Sequence, residues 1–262
     1  MIEVHAGHRR RLREQYLAAG ATGMPDHLLL EMLLSYAIPR KNVNPLAHDL
    51  LRQFGSLEHV LSATKDELFA VPGIGEQTAA LLQLIFDLHQ RLLMTVSFPH
   101  KKQEVLFNTE QSCRYALLLS RRDRYETARL ICLDAAMHVL HTSILSTGTT
   151  DEVLAEPRHI METAFFHKAN AILLMHNHPT GNALPSGADR EVAERLELLA
   201  DQLGVHVLDQ LIVGAGAVYS HRHDCVFLFP SATVCQSVST GEYSALLAQA
   251  AKEQTFSPQE QP

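Results

Sequence analysis

The chain has 262 residues, 46% of them hydrophobic and 19% charged, the balance of an ordinary soluble globular protein with one large core or two modest ones. A net charge of −7, with the 16 histidines neutral, provides no global basic field, so any contact with nucleic acid or anionic lipid has to be local. The four cysteines, Cys113, Cys132, Cys225 and Cys235, form no C-x-x-C pair, which argues against a zinc knuckle or a disulfide framework and fits a reducing compartment.

The first residues, MIEVHAGHRRRLREQY, contain no apolar signal core. The longest apolar runs, AALL and LIF around Gln83, fall far short of the ~20 residues that span a bilayer, so no membrane partner and a cytoplasmic location are expected. From Pro25 to Leu93 apolar residues recur at helical spacing, interrupted by Pro39, Pro45, Gly55 with Ser56, and the turn Pro72-Gly73-Ile74-Gly75. An all-helical domain over 1–93 follows, and residues 94–105 lose the period and gain proline and lysine, as in a linker.

Beyond the linker the pattern alternates. ETARLICLDAAMHVLHTSILSTGT reads as two strands joined by a turn at Asp134-Ala135-Ala136. PRHIMETAFFHKA is helical, ANAILLM suits a buried strand, and ADREVAERLELLADQLG is an amphipathic helix ending at Gly204. VHVLDQLIVG, AVYS and CVFLF supply further strands, giving a mixed α/β domain over 106–229. The remainder, 230–262, is expected as a partly disordered tail with one weak helix at 243–251.

Within this domain lies MHNHPTGNALPSGAD, residues 175–189. Side chains on a strand alternate, so His176 and His178 point to one side, and an aspartate in the first turn of the next helix, Asp189, can return to meet them. Two histidines and a carboxylate leave a fourth tetrahedral position for water, the arrangement of a catalytic zinc site, where zinc lowers the pKa of water to about 7. Ser186-x-x-Asp189 also reads as a capping box, in which the serine satisfies free helix amides and the acid faces the positive end of the helix.

The joint pattern, H-x-H, seven residues, then S-x-x-D, resembles the JAMM motif of the MPN metalloprotease superfamily, and HNHPTGNALPSGAD is similar to the bacterial RadC family. GHRRRLREQYL, PDHLLLEMLLSYAIPRKNVNPLA, LLRQFGS and VPGIG extend the resemblance over residues 7–229. It implies an α-β-α MPN domain of cytidine-deaminase-like layering with a mixed sheet, and Zn2+ held by His176, His178 and Asp189. It further implies that Ser186 helps to bind the oxyanion or the activated water, and that a glutamate at the start of the first strand acts as general base. Glu126 best matches that position, with Glu152 and Glu162 as alternatives. A protein or peptide substrate of unknown identity and an MPN-mediated dimer belong to the same expectation. Two departures bear on the surroundings of the site: Gln210 stands where the family usually has histidine, and YSHRHDC, with the pair His221 and His223, replaces Tyr-Ser-Phe.

VPGIG followed by EQTAALL resembles a helix-hairpin-helix turn, in which Gly73 and Gly75 let the backbone approach a DNA phosphate. Arg9, Arg10, Arg11 and Arg13 form the only basic cluster nearby, while Glu76 occupies the position after the turn where a basic residue is common. DNA binding with the MPN domain as a scaffold is therefore the alternative to a zinc-dependent peptide or isopeptide hydrolase.

Overall fold

The computed structural model describes residues 2–98, 104–148, 157–231 and 234–255. The chain divides into two compact units, Met1–Leu92 and Leu93–Pro262.

The first unit comprises α1 (Ile2–Ala19), α2 (Asp26–Ala37), α3 (Asn44–Phe54), α4 (Leu57–Ser62), α5 (Lys65–Phe69) and most of α6 (Glu76–Ser97). Local signals set these boundaries. Pro45 lies in the first turn of α3, where no amide is needed; Ser56 caps α4 by accepting from His59 N at 3.1 Å; and Thr64 and Glu67 form a capping box for α5. Gly73, in the turn before α6, has φ +96, a conformation that favours glycine. Leu30, Leu34, Leu50, Val60, Leu68 and Leu82 are fully buried in the core. Among the described residues, no helix is long and apolar enough to cross a membrane.

α1 is fastened to α2 by polar contacts. His8 Nε2 and Asn44 Nδ2 reach the buried carboxylate of Glu31 at 2.9 and 2.8 Å. The guanidinium of Arg9 donates to the carbonyls of Ser35, Ile38 and Lys41, satisfying acceptors at and beyond the end of α2.

The second unit contains α7 (Thr109–Leu119), β1 (Glu126–Leu133), β2 (Val139–Gly148), α8 (Pro157–Phe166), β3 (Ala171–Asn177), α9 (Gly187–Gln202), β4 (His206–Val213), β5 (Ala217–Ser220), β6 (Cys225–Leu228), β7 (Gln236–Ser239) and α10 (Thr240–Thr255). The strands form one sheet in the order β2-β1-β3-β4-β5-β6-β7. Among the described strands only β3 and β4 run parallel, and the helix a parallel connection requires is α9. One face of the sheet buries Ile131, Leu133, Leu173, Met175 and Leu211 against Cys113, Tyr115 and Ala116 of α7. The other buries Leu130, Cys132, Ile172 and Leu174 against Ile160 and Ala164 of α8 and Leu196 and Ala200 of α9. Covered on both faces, β1 and β3 are buried along their whole length, which accounts for the apolar runs at 130–133 and 171–175.

The structure differs from the sequence expectations at three places. α6 continues through Ser97 into the expected linker, and Phe98 packs edge-on to Tyr115 with ring centroids 5.6 Å apart. α7, for which no element was expected, begins where Asn108 accepts from Gln111 N at 2.8 Å. The expected tail supplies β7, paired antiparallel with β6, and the helix expected at 243–251 is part of the longer α10, whose Tyr243 is buried against Ile212, Tyr219 and Val226.

Candidate metal centre

The sheet register brings the candidate residues together. β3 ends in His176-Asn177 with His178 immediately after it, and Ala128 of the antiparallel neighbour β1 stands opposite His176. The same ladder continued two residues brings Glu126, the first residue of β1, level with His178. The loop after His178 then returns the chain to the first turn of α9, where Asp189 lies.

His176 Nε2 lies 3.1 Å from His178 Nε2 and 3.2 Å from Asp189 Oδ1, and His178 Nε2 lies 3.7 Å from Asp189 Oδ2. Ligand atoms about 2.0–2.1 Å from a common zinc ion at tetrahedral angles are about 3.3–3.4 Å apart, so the three groups have the spacing of a tetrahedral ligand set. The protonation of His178 fits as well. Its Nδ1 is 2.8 Å from Asn182 O, which only accepts, so Nδ1 carries the proton and the Nε2 lone pair faces the cluster. A lone pair and a carboxylate directed at one point can hold a cation.

Glu126, His176 and His178 also each place a ligand atom within 4.8 Å of the others. Glu126 is buried, and burial raises its pKa against the opposing pull of His176 and His178. Asp189 moves the other way. Burial alone would raise its pKa, but His176 and the amide and hydroxyl of Ser186 outweigh it and hold the carboxyl well below its ordinary value.

At Ser186-x-x-Asp189 the cap leaves one carboxylate oxygen directed at the histidines. Ser186 Oγ accepts from Asp189 N at 3.2 Å and Asp189 Oδ2 accepts from Ser186 N at 2.7 Å, while Oδ1 of the same carboxylate faces His176. The group opens onto a cleft of about 360 Å³ lined by Tyr125, Glu126, Gly148, His178, Ser186 and Asp189.

Three supports escaped the sequence reading. Asn177 accepts from Thr127 N at 2.9 Å and donates to Tyr125 O at 3.1 Å, gripping the residues on either side of Glu126. Gly214 lies so close to the ligand loop that a Cβ there would stand 2.4 Å from Gly181 O and 2.8 Å from Ala183 N. The Asn182 carbonyl fixes the His178 tautomer, as described above. Such contacts depend on strands distant in sequence and have no spacing signature.

The other sequence candidates lie elsewhere. Glu162 pairs with Arg158 at 2.9 Å on an exposed face of α8, and Glu152 falls outside the described residues. His221 and His223 lie in the turn between β5 and β6, where His223 Nε2 meets Thr109 Oγ1 at 2.9 Å. Gln210 is buried with neither side-chain amide atom partnered among the described residues, as is Nδ1 of His176. Of the proposed phosphate contacts, Arg9 is committed to carbonyls around the end of α2 and Arg10 pairs with Glu14 at 3.5 Å, whereas Arg11 and Arg13 are exposed. Gly73 and Gly75 form the turn into α6.

Residues 107–225 match the family model for the RadC-like JAB domain, and residues 5–80 match that for the UPF0758 N-terminal region. A UPF0758 protein of Rhodobacter capsulatus is 35% identical over 211 residues, covering 80% of this chain and 97% of that protein. Others from Ruegeria pomeroyi and Aliivibrio fischeri are 32% and 33% identical over 215 and 210 residues, covering 82% and 80% of this chain and 95% and 92% of theirs. With both regions matched and most of each relative covered, the chain belongs to the UPF0758 family and carries a RadC-like JAB domain.

Proposed function

We propose that the protein is a zinc-dependent hydrolase that cleaves a peptide or isopeptide bond in the cleft beside Glu126. The observation that carries this reading is the convergence of His176 Nε2, His178 Nε2 and the Asp189 carboxylate within 3.1 to 3.7 Å, with Glu126 at the same point. Membership of a JAB-domain family supports it. His176, His178 and Asp189 would hold the metal, which would supply a water acidified to a pKa of about 7 and a Lewis acid for the scissile carbonyl.

The remaining chemistry falls to the chain. The Glu126 carboxylate accepts a proton from the attacking water and delivers it to the leaving nitrogen, a transfer worth typically 10²–10⁴-fold in rate. Asn177 holds the backbone on both sides of Glu126 and so sets its reach. Ser186 lines the cleft, with its Oγ anchored to the first turn of α9, where it can face an oxyanion.

The test compares protein termini in cells expressing wild type or Glu126→Gln. New termini that appear with wild type and are lost with Glu126→Gln support the reading and name the substrate. Termini that are identical between the two, with the variant still carrying zinc, contradict it.

A further inference from the structure

We propose that Tyr243, in the first turn of the C-terminal helix α10, is a positioning residue for His178 and acts through the loop at residues 181–183. The Tyr243 hydroxyl accepts from Ala183 N at 3.4 Å and donates to Gly181 O at 3.5 Å. The two residues it holds flank Asn182, whose carbonyl accepts the Nδ1 proton of His178 at 2.8 Å. One hydroxyl thus spans the peptide unit that decides which nitrogen of His178 is free.

The brace is itself anchored. Tyr243 is 4% exposed and packs among Ala183, Ile212, Tyr219 and Val226. Ser239 and Glu242 form a reciprocal cap at the start of α10, with Glu242 N to Ser239 Oγ at 3.2 Å and Ser239 N to Glu242 Oε2 at 2.8 Å. Ser239 ends β7, which is hydrogen-bonded to β6, so the position of Tyr243 is referred back to the sheet. Across the loop, Gly181 O accepts from Ala215 N at 2.9 Å, holding the loop from its other side.

This segment lies beyond residues 107–225, the extent of the match to the RadC-like JAB domain. A part of the chain outside the matched domain therefore completes the setting of a ligand inside it. Groups that orient a metal-binding histidine in this way typically change metal affinity by 10–100-fold when removed. The inference rests on the metal reading for its consequence, but its structural content, the tautomer of His178, stands without metal.

The experiment uses the full chain, metal-free, with ¹⁵N-labelled histidine, at a pH where imidazole is neutral; the His178 signals are assigned by their loss in His178→Gln. Wild type is expected to show His178 protonated at Nδ1 alone, and Tyr243→Phe, which keeps the ring and its packing, to show a mixture of tautomers. A zinc titration of the two proteins is expected to show roughly tenfold weaker binding by Tyr243→Phe. An unchanged His178 tautomer in Tyr243→Phe overturns the proposal, whatever zinc does. If the tautomer shifts while wild type itself takes up no zinc, the brace stands and the metal reading falls.

Discussion

Asn177 sits between two metal-ligand candidates in the chain, yet its side chain serves a third residue. Its amide satisfies Thr127 N and Tyr125 O, so Asn177→Ala leaves a buried backbone N–H without its acceptor, at a cost of roughly 1–3 kcal/mol. Because those groups flank Glu126 rather than the histidines, the variant is expected to lose turnover more than zinc affinity, as measured by cleavage rate alongside a zinc titration. Equal loss of both would place the effect on the metal centre itself. That His176, His178 and Asp189 come together was legible in the sequence because one strand, one loop and one helix start separate them, while their assignment as a set, and that of Ser186, came from the resemblance of the joint pattern to a known motif. Asn177 was not legible, since its partners lie about 50 residues earlier and face it only once β1 pairs with β3. At Gln210, where a family histidine is replaced, the buried amide has no partner among the described residues.

The loop between β3 and α9 is held by close contact as well as by hydrogen bonds. Gly214→Ala would put a methyl group into Gly181 O and Ala183 N, and forcing such a group into a packed site costs about 1–3 kcal/mol. Thermal melting is expected to fall and zinc binding to weaken together, since the displaced residues border Asn182; a variant with unaltered zinc binding would show that the ligand loop tolerates the shift. At the turn joining β1 to β2, the His138 amide, against a smaller opposing effect of burial and aided by the His138 imidazole and the Ala136 amide, lowers the Asp134 pKa. A carboxyl whose pKa is depressed on folding contributes stability that is present above its unfolded value and is lost as pH falls through the folded one. Asp134→Ala should therefore melt below wild type at neutral pH, with the gap closing in acid below the ordinary carboxylate range; a gap independent of pH would exclude that cause. That turn was readable from Asp134 and its neighbours, whereas β7 was not. QSVS is short, polar and mostly exposed, and it is a strand because β6 offers it a backbone ladder, a reason that lies outside the segment.

The whole molecule was most legible where layers repeat a period: helical spacing through the first unit, and buried runs for β1 and β3 between the helical layers of the second. The change of pattern near residue 94 falls inside α6, which runs on to Ser97, and Met94 and Phe98 pack in the core of the second unit. A ligand that binds only the folded state adds stability by mass action, about 4 kcal/mol at a free concentration a thousandfold above Kd. Chelation is accordingly expected to lower the melting temperature of the second unit, and His176→Ala should abolish the difference in calorimetry. The central claim, that His176, His178 and Asp189 bind zinc while Glu126 does the proton work, is tested most directly by elemental analysis of purified wild type, Asp189→Ala and Glu126→Gln. The account predicts one zinc per chain in wild type and in Glu126→Gln and none in Asp189→Ala; a zinc-free wild type, or Asp189→Ala carrying as much zinc as wild type, would contradict it.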